Sequence, residues 1–275
     1  MRAVYVDLDA TLLGPGGVLL RDAKGGFSLQ GVRALQACHR AGAEVVLMSG
    51  RRKAQVMEDA RLIGQDSYIF EAGSCLVLDG EEHWLTGELM PGEGEAGTIH
   101  DQIEAMGAPA LLLEHYDGRL EYHDPWHRNR EVSHLFRGLV DAAEADALLA
   151  EHGHGALRLV DNGGVHRRSP RLVALEEVRA YHLVPRGASK ANGVARHMRA
   201  RGLAAQDTIA VGDSREDLET AAHVGQFWFV ANALERDPTL SQAAAGRANV
   251  SIAEASYGAG VYEAVVTTLA LRGGG

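Results

Sequence analysis

A chain of 275 residues, 46% hydrophobic and with a net charge of -10, is long for one compact core and sufficient for two modest domains. The acidic balance argues against nucleic-acid binding, since phosphate backbones select basic faces, but leaves small anionic substrates open because these respond to the local field of a cleft. No apolar run reaches the roughly 18 residues of a membrane span, and the distant Cys38 and Cys75 form neither a disulfide framework nor a CxxC zinc site, which fits a reducing cytoplasm.

Residues 3–6 form a short apolar strand that ends in acidic residues; MRAVYVDLDATLL, charged within its apolar run, reads as a buried strand rather than a signal peptide. Ser28 is placed to cap a helix with Val32, Leu35 and Cys38 inward, ended by Gly42. A second buried strand follows at 44–48. Next comes a helix at 52–63 with Val56 and Ile63 inward, closed by Gly64, and then a third strand at 68–70. Short apolar strands between amphipathic helices imply a parallel sheet covered on both faces. The pattern changes near residue 85. A hairpin turning at Asp79-Gly80 leads into a Gly- and Glu-rich linker at 87–97. Beyond it the sequence predicts a helix near 99–106, a hairpin around Asp117-Gly118, helices near 131–140 and 142–152, and strands near 156–160 and 178–184. Alternation then resumes: Ser189 caps a helix to about 199, and a strand at 208–211, a short helix at 217–223, a strand at 227–230 and a final helix at 258–271 follow. Gly273-Gly274-Gly275 reads as a disordered tail. The expected fold is an α/β, Rossmann-like parallel-sheet core at 1–86 and 186–275, interrupted by an inserted α+β cap at 87–185.

Four strings place chemistry at strand ends or helix starts. Asp7 and Asp9, in VDLDATLL, follow the first strand directly, where two carboxylates can divide attack and proton transfer; a solvated turn is the bland alternative. Ser49-Gly50 ends the second strand, where a hydroxyl and a flexible backbone suit a phosphoryl oxygen, although Ser-Gly is also an ordinary turn. Lys190 opens a helix, against the macrodipole, and is one of three lysines beside twenty-four arginines; a phosphate partner explains that placement better than a solvated lysine. Asp213 ends a later strand, with Asp217 one helical turn on. Such a pair suits a hard cation that takes carboxylates, waters and phosphate oxygens; an acidic helix start is the alternative.

Together these strings resemble the haloacid dehalogenase-like (HAD) phosphatases, in particular the Cof-type group with a type IIB cap. VDLDATLL resembles the first motif, VVLMSGR the second, VPRGASKANGV the third and AVGDSREDLET the fourth; Phe70-Glu71-Ala72-Gly73 resembles the segment leading to the cap. The resemblance implies Asp7 as nucleophile and metal ligand. It implies Asp9 as general acid and base whose carbonyl also binds Mg2+, and Asp213 and Asp217 as metal ligands. Leu8, Ser49, Gly50 and Lys190 are implied to hold the phosphoryl group. Ala10 stands where the family has Gly, tolerable if its φ stays negative. Glu216 stands where Asn is usual, and an acid there is expected to turn toward a cation such as Lys190 or Arg215.

In the cap, a stretch rich in Arg and His offers His123, His127, Arg128, Arg130 and Arg137 as candidates for a second anionic group or sugar hydroxyls; a solvated helix face is an equal reading. The expectation is a cytoplasmic Mg2+-dependent phosphatase, monomer or homodimer, acting on a small phosphorylated metabolite such as a sugar phosphate or phosphoglycerate-like compound. A sugar phosphomutase and a non-catalytic phosphate-sensing regulator are the alternatives.

Overall fold

The computed structural model describes residues 1–92, 97–165 and 169–273; residues 93–96 of the expected linker and Gly274-Gly275 of the expected tail lie outside it. Strand β1 (Ala3–Asp7) is buried throughout. It pairs in parallel with β2 (Glu44–Met48) on one side and β10 (Thr208–Gly212) on the other. Beyond β10 lie β11 (Gln226–Phe229) and β12 (Val250–Ile252). Beyond β2 lie β3 (Tyr68–Phe70) and an antiparallel hairpin, β4 (Cys75–Leu78) and β5 (Glu81–Trp84), giving the order β12-β11-β10-β1-β2-β3-β4-β5. The hairpin turns where expected, with φ of 52° at Asp79 and 87° at Gly80, the signs of a type I′ turn. The chain leaves β1 through α1 (Gln30–Arg40) toward β2, while β10 takes the opposite flank. The connections therefore diverge between β1 and β10, which opens a crevice at the strands' carboxyl ends.

A second sheet, order β6-β7-β9-β8, joins β6 (Leu120–Tyr122), β7 (His134–Gly138), β9 (Arg179–Pro185) and β8 (Leu157–Gly164), all antiparallel. With α3 (Ile99–Ala105), α4 (Ala108–His115) and α5 (Ala142–Glu151) it encloses its own core, including Ile103, Leu112, Phe136, Leu149 and Tyr181. The larger sheet's core is separate and includes Tyr5, Leu47, Phe70, Phe227 and Phe229. The fold is thus α/β, a parallel-dominated sheet with an inserted α+β cap.

Several elements differ from the sequence reading. The expected helix at 131–140 is strand β7. Its five residues are all buried, so neither face shows the polar alternation that marks a strand. Asp117-Gly118 turns from α4 into β6 rather than joining two strands; α4 was hidden because APALLLEH is apolar nearly all round. In α1 the inward face is Gly31, Ala34 and Cys38, with Leu29 rather than Ser28 at the N-cap, while Val32 is exposed. Small residues decide this: a Cβ on Gly258, in α10 (Tyr257–Gly273), would meet the Gly31 backbone at 2.8 Å, so the two helices pack too closely for a large side chain. In α2 (Lys53–Leu62), Val56 and Ala60 point inward and Ile63 is the half-buried C-cap. No helix among the described residues is long and apolar enough to cross a membrane.

Candidate active site

Asp7 ends β1, and Asp213 follows the last residue of β10; the parallel register pairs Val6 with Val211, so both carboxylates emerge side by side. Helix α7 (Arg215–Leu218) starts with a reciprocal cap: Asp217 N donates to Ser214 Oγ at 3.2 Å, and Asp217 Oδ2 accepts from Ser214 N at 3.1 Å. Asp213 N donates to the same Oδ2 at 3.1 Å. This folds Asp217 back over the end of β10, where a Cβ on Gly212 would lie 2.3 Å from the Asp217 Cβ; only glycine fits there. Lys190 opens α6 (Lys190–Arg201), whose cap Ser189 accepts from Asn192 N at 3.0 Å. Its buried ammonium donates at 2.8 Å to both Asp7 Oδ1 and Asp217 Oδ1.

Ligand atoms of Asp7, Asp213 and Asp217 lie within 4.8 Å of one another. Burial pushes the Asp7 carboxyl well above the usual range, an effect Lys190 opposes and the negative charges of Asp217 and Asp213 reinforce. Burial and then Asp217 push Asp213 up to about 6, against Arg236 and Lys190. Burial alone would lower Lys190, but Asp217, Asp7 and Glu216 outweigh it and hold the ammonium charged. Three crowded carboxylates, with no His or Cys in their cluster among the described residues, fit a hard oxygen-seeking cation such as Mg2+ rather than zinc.

Around this centre a cavity of about 440 Å³ opens between the two sheets. Its floor includes Asp7, Asp9, Ser49, Gly50, Lys190, Asp213 and Asp217, and its roof includes His123, Trp126, Arg130, Asn162 and His182 from the cap. Of the sequence candidates, the four core strings thus converge, joined by His123 and Arg130. Leu8 is buried in the core and contributes no side chain to the cavity. Three cap candidates lie elsewhere. Arg128 is exposed and pairs with Asp124 at 2.6 Å, His127 stacks on Tyr122, and Arg137 on β7 pairs with Glu121 at 2.7 Å. The charges that crowd the sequence there are thus largely spent within the cap.

Asp9 is held from the side: Arg51 donates from Nε and Nη2 to its two oxygens, each at 2.7 Å. Ser49 Oγ accepts from Arg51 N at 3.1 Å. Ala10 departs from expectation with a φ of 65°, so the left-handed position is kept without glycine; Asn232 Nδ2 pins its carbonyl at 2.8 Å. Glu216 is buried beside Lys190, 3.8 Å from its Nζ, and neither of its oxygens has a hydrogen-bond partner among the described residues. It faces the expected lysine, whereas Arg215 turns to Thr239 and Asp237. Burial pushes Glu216 up to about 7.

Arg236, Asn162 and His182 escaped the sequence reading, and Arg51 and Glu71, though within quoted strings, were given no role in it. Arg236, in α8 (Ala231–Arg236), bridges Asp213 Oδ2 and the Gly164 carbonyl of the cap, each at 2.6 Å. Glu71, buried, accepts from the cap's Glu131, Val132 and Ser133 N–H groups at 2.9, 3.0 and 2.7 Å. For His182 a signal existed: Ala180 and His182 are two apart on a strand and both reach the cavity, as period-two alternation requires.

No family model matches the chain. A phosphoglycolate phosphatase of Methanoculleus marisnigri is 27% identical over 269 residues, covering 96% of this chain and 95% of that protein. Among solved structures, the sucrose-phosphatase from Synechocystis sp. PCC6803 is similar with a TM-score of 0.65 at 15% identity, over 98% of both chains. A sugar phosphatase of HAD subclass IIB is similar with a TM-score of 0.60 at 17% identity, over 100% of this chain and 99% of its own. With the four strings gathered at one sheet edge beneath an inserted cap, the chain is similar over nearly its whole length to a phosphoglycolate phosphatase and shares the fold of the sucrose-phosphatase and of the HAD subclass IIB sugar phosphatase.

Proposed function

We propose that the chain is a Mg2+-dependent phosphatase that hydrolyses a small phosphomonoester through an aspartyl-phosphate on Asp7. One observation carries this reading: a buried Asp7 carboxylate, 2.8 Å from the Lys190 ammonium and clustered with Asp213 and Asp217, faces the cavity beneath the cap. Asp7, Asp213, Asp217 and the Asp9 carbonyl would hold Mg2+, which would supply positive charge against a dianionic phosphoryl group. An Asp7 oxygen attacks phosphorus while the ester oxygen leaves with a proton from Asp9. Asp9 then takes a proton from the water that attacks phospho-Asp7, which returns Asp7 as carboxylate and releases phosphate. Lys190 neutralises charge throughout. Ser49 Oγ already accepts from Arg51 N–H, so its own proton is available to a phosphoryl oxygen. Gly50 and the Leu8 backbone complete that cradle.

The substrate is a sugar phosphate or a phosphoglycerate-like ester. The cavity's modest volume and the phosphoglycolate phosphatases among the relatives favour a compact leaving group. A cytoplasmic location fits two buried, unpaired cysteines. The test is a phosphate-release assay across phosphorylated metabolites with Mg2+ and with chelator. Mg2+-dependent free phosphate and trapped phosphoenzyme in wild type, both absent in Asp7→Asn, are the expected results. An isomerised ester without free phosphate points instead to a mutase; binding without turnover of any ester points to a sensor.

A further inference from the structure

We propose that Glu71, Ser133 and His182 form a hydrogen-bond relay that presents a bare imidazole nitrogen to the cavity, and that this nitrogen accepts a hydroxyl of the substrate's leaving group. The inference rests on the phosphatase reading and narrows its substrate class to hydroxylated phosphomonoesters.

Ser133 Oγ has one proton and three polar neighbours. Arg130 Nη1, at 2.9 Å, can only donate to it. Glu71 Oε2 lies at 3.0 Å and His182 Nδ1 at 3.1 Å. Glu71 already accepts three backbone N–H groups, as a carboxylate does. Sending the serine proton to His182 would set an oxygen lone pair against that carboxylate in a buried site, an arrangement with a large desolvation and repulsion cost. The proton therefore goes to Glu71, and Oγ accepts from both Arg130 and His182 Nδ1–H. Burial, then the charges of Arg130 and Lys190, keep His182 far below the usual histidine range, so the ring is neutral. A neutral ring with its proton on Nδ1 has an unprotonated Nε2.

That Nε2 has no hydrogen-bond partner among the described residues, although His182 lines the cavity. It lies beside Gly50, where an added Cβ would fall 2.8 Å from Nε2 and 3.1 Å from Asn162 Nδ2. The bare nitrogen therefore stands beside Ser49-Gly50. A carboxylate or phosphate oxygen there would place acceptor against acceptor, whereas a hydroxyl supplies the missing proton. An ester lacking that hydroxyl leaves a buried acceptor unpaired, which binding sites discriminate against strongly.

Two measurements on the full chain test this. Long-range 15N–1H spectra, with His182→Gln identifying the signals, should show the Nδ1–H tautomer of His182 from pH 6 to 8, and Ser133→Ala should shift it toward Nε2–H. An Nε2–H tautomer or an imidazolium in wild type overturns the relay. Kinetically, wild type should favour 3-phosphoglycerate over 3-phosphooxypropionate, which lacks only the hydroxyl, at least tenfold in kcat/KM; His182→Leu should bring the ratio within twofold. Equal wild-type values overturn the hydroxyl assignment, and this outcome needs no variant to fold. Phosphate release from p-nitrophenyl phosphate separates the two levels: its absence refutes the phosphatase reading, while its presence with a ratio near one refutes only the role of His182.

Discussion

Arg51 grips both oxygens of Asp9, each at 2.7 Å, while a further nitrogen of the same guanidinium holds Asp59 at 3.0 Å. The residue proposed to shuttle protons is thus aimed by a partner that follows directly on the Ser49-Gly50 turn. Arg51 acts through Asp9, and its loss should be felt where leaving-group protonation limits the rate. Arg51→Gln should lower kcat on alkyl phosphates on the order of tenfold to a hundredfold and affect aryl phosphates, whose leaving groups need little protonation, far less. Equal losses on both, measured in parallel, would assign Arg51 to binding rather than to aiming Asp9.

Lys190 compensates three buried carboxylates that would otherwise repel one another, Asp7 and Asp217 at 2.8 Å and Glu216 at 3.8 Å. Taking the cation out of such a cluster, which leaves buried carboxylates uncompensated, costs about 3–5 kcal/mol. Lys190→Met should therefore lower the melting temperature without Mg2+ and recover part of the loss when Mg2+ is added, since a ligand bound only by the native state stabilises it. Asp7→Asn should remain folded and inactive, and be at least as stable as wild type in chelator because it relieves the crowding. Thermal melts with and without Mg2+ check both; a Lys190→Met protein as stable as wild type in chelator would contradict the charge account.

The core strings were legible because each is local: a carboxylate or hydroxyl directly after an apolar run is a strand-end residue, and parallel pairing gathers strand ends at one edge. Cap residues meet the cavity through tertiary register, which short strings do not encode. His182 and Asn162 lie on neighbouring antiparallel strands, and β7 lost its alternation because both its faces are buried, one in the cap core through Phe136 and the other at the cavity through Leu135. Arg236 sits in a helix of six residues, too short for periodicity to show.

Ala10 gives a stability test of local geometry. A non-glycine residue at a φ of 65° is strained by its Cβ. Ala10→Gly relieves that strain but adds freedom to the unfolded chain, so the net expectation is a gain of about 0.5–1 kcal/mol by chemical denaturation. A loss would show that the Ala10 methyl contributes packing of its own.

Arg130 and Arg137 separate site from scaffold. Arg130 reaches from the cap to the Gly50 carbonyl at 3.0 Å and lines the cavity, so Arg130→Ala should raise KM several-fold and loosen the cap. Arg137 pairs with Glu121 away from the cavity, so Arg137→Ala should lower stability yet leave kcat/KM within about twofold, consistent with the near-independence of distant sites. Steady-state kinetics on both variants decide whether the cap arginines divide in this way.

His134 should govern part of the acid stability. It is fully buried and stacks on His100 at 3.8 Å, its Nε2 3.0 Å from the His100 carbonyl. Burial, then the charge of His100, lowers it to about 3. Glu104 lies 3.4 Å from its Nδ1, but that carboxylate is more than half exposed, so its attraction is screened and burial prevails. The unfolded chain then binds a proton near pH 6.5 while the native state refuses it until about pH 3. Stability from the neutral ring is therefore complete above pH 6.5 and is lost progressively as pH falls toward 3. Between pH 7 and pH 4 the loss from this one group is on the order of 3 kcal/mol. His134→Gln, which keeps a donor for the His100 carbonyl but cannot titrate, should be less stable than wild type at pH 8 and lose less on acidification. Denaturant melts at several pH values would show the two stability curves converging as the pH falls; parallel curves would mean that His134 already carries a proton in the native state or never takes one up in the unfolded chain.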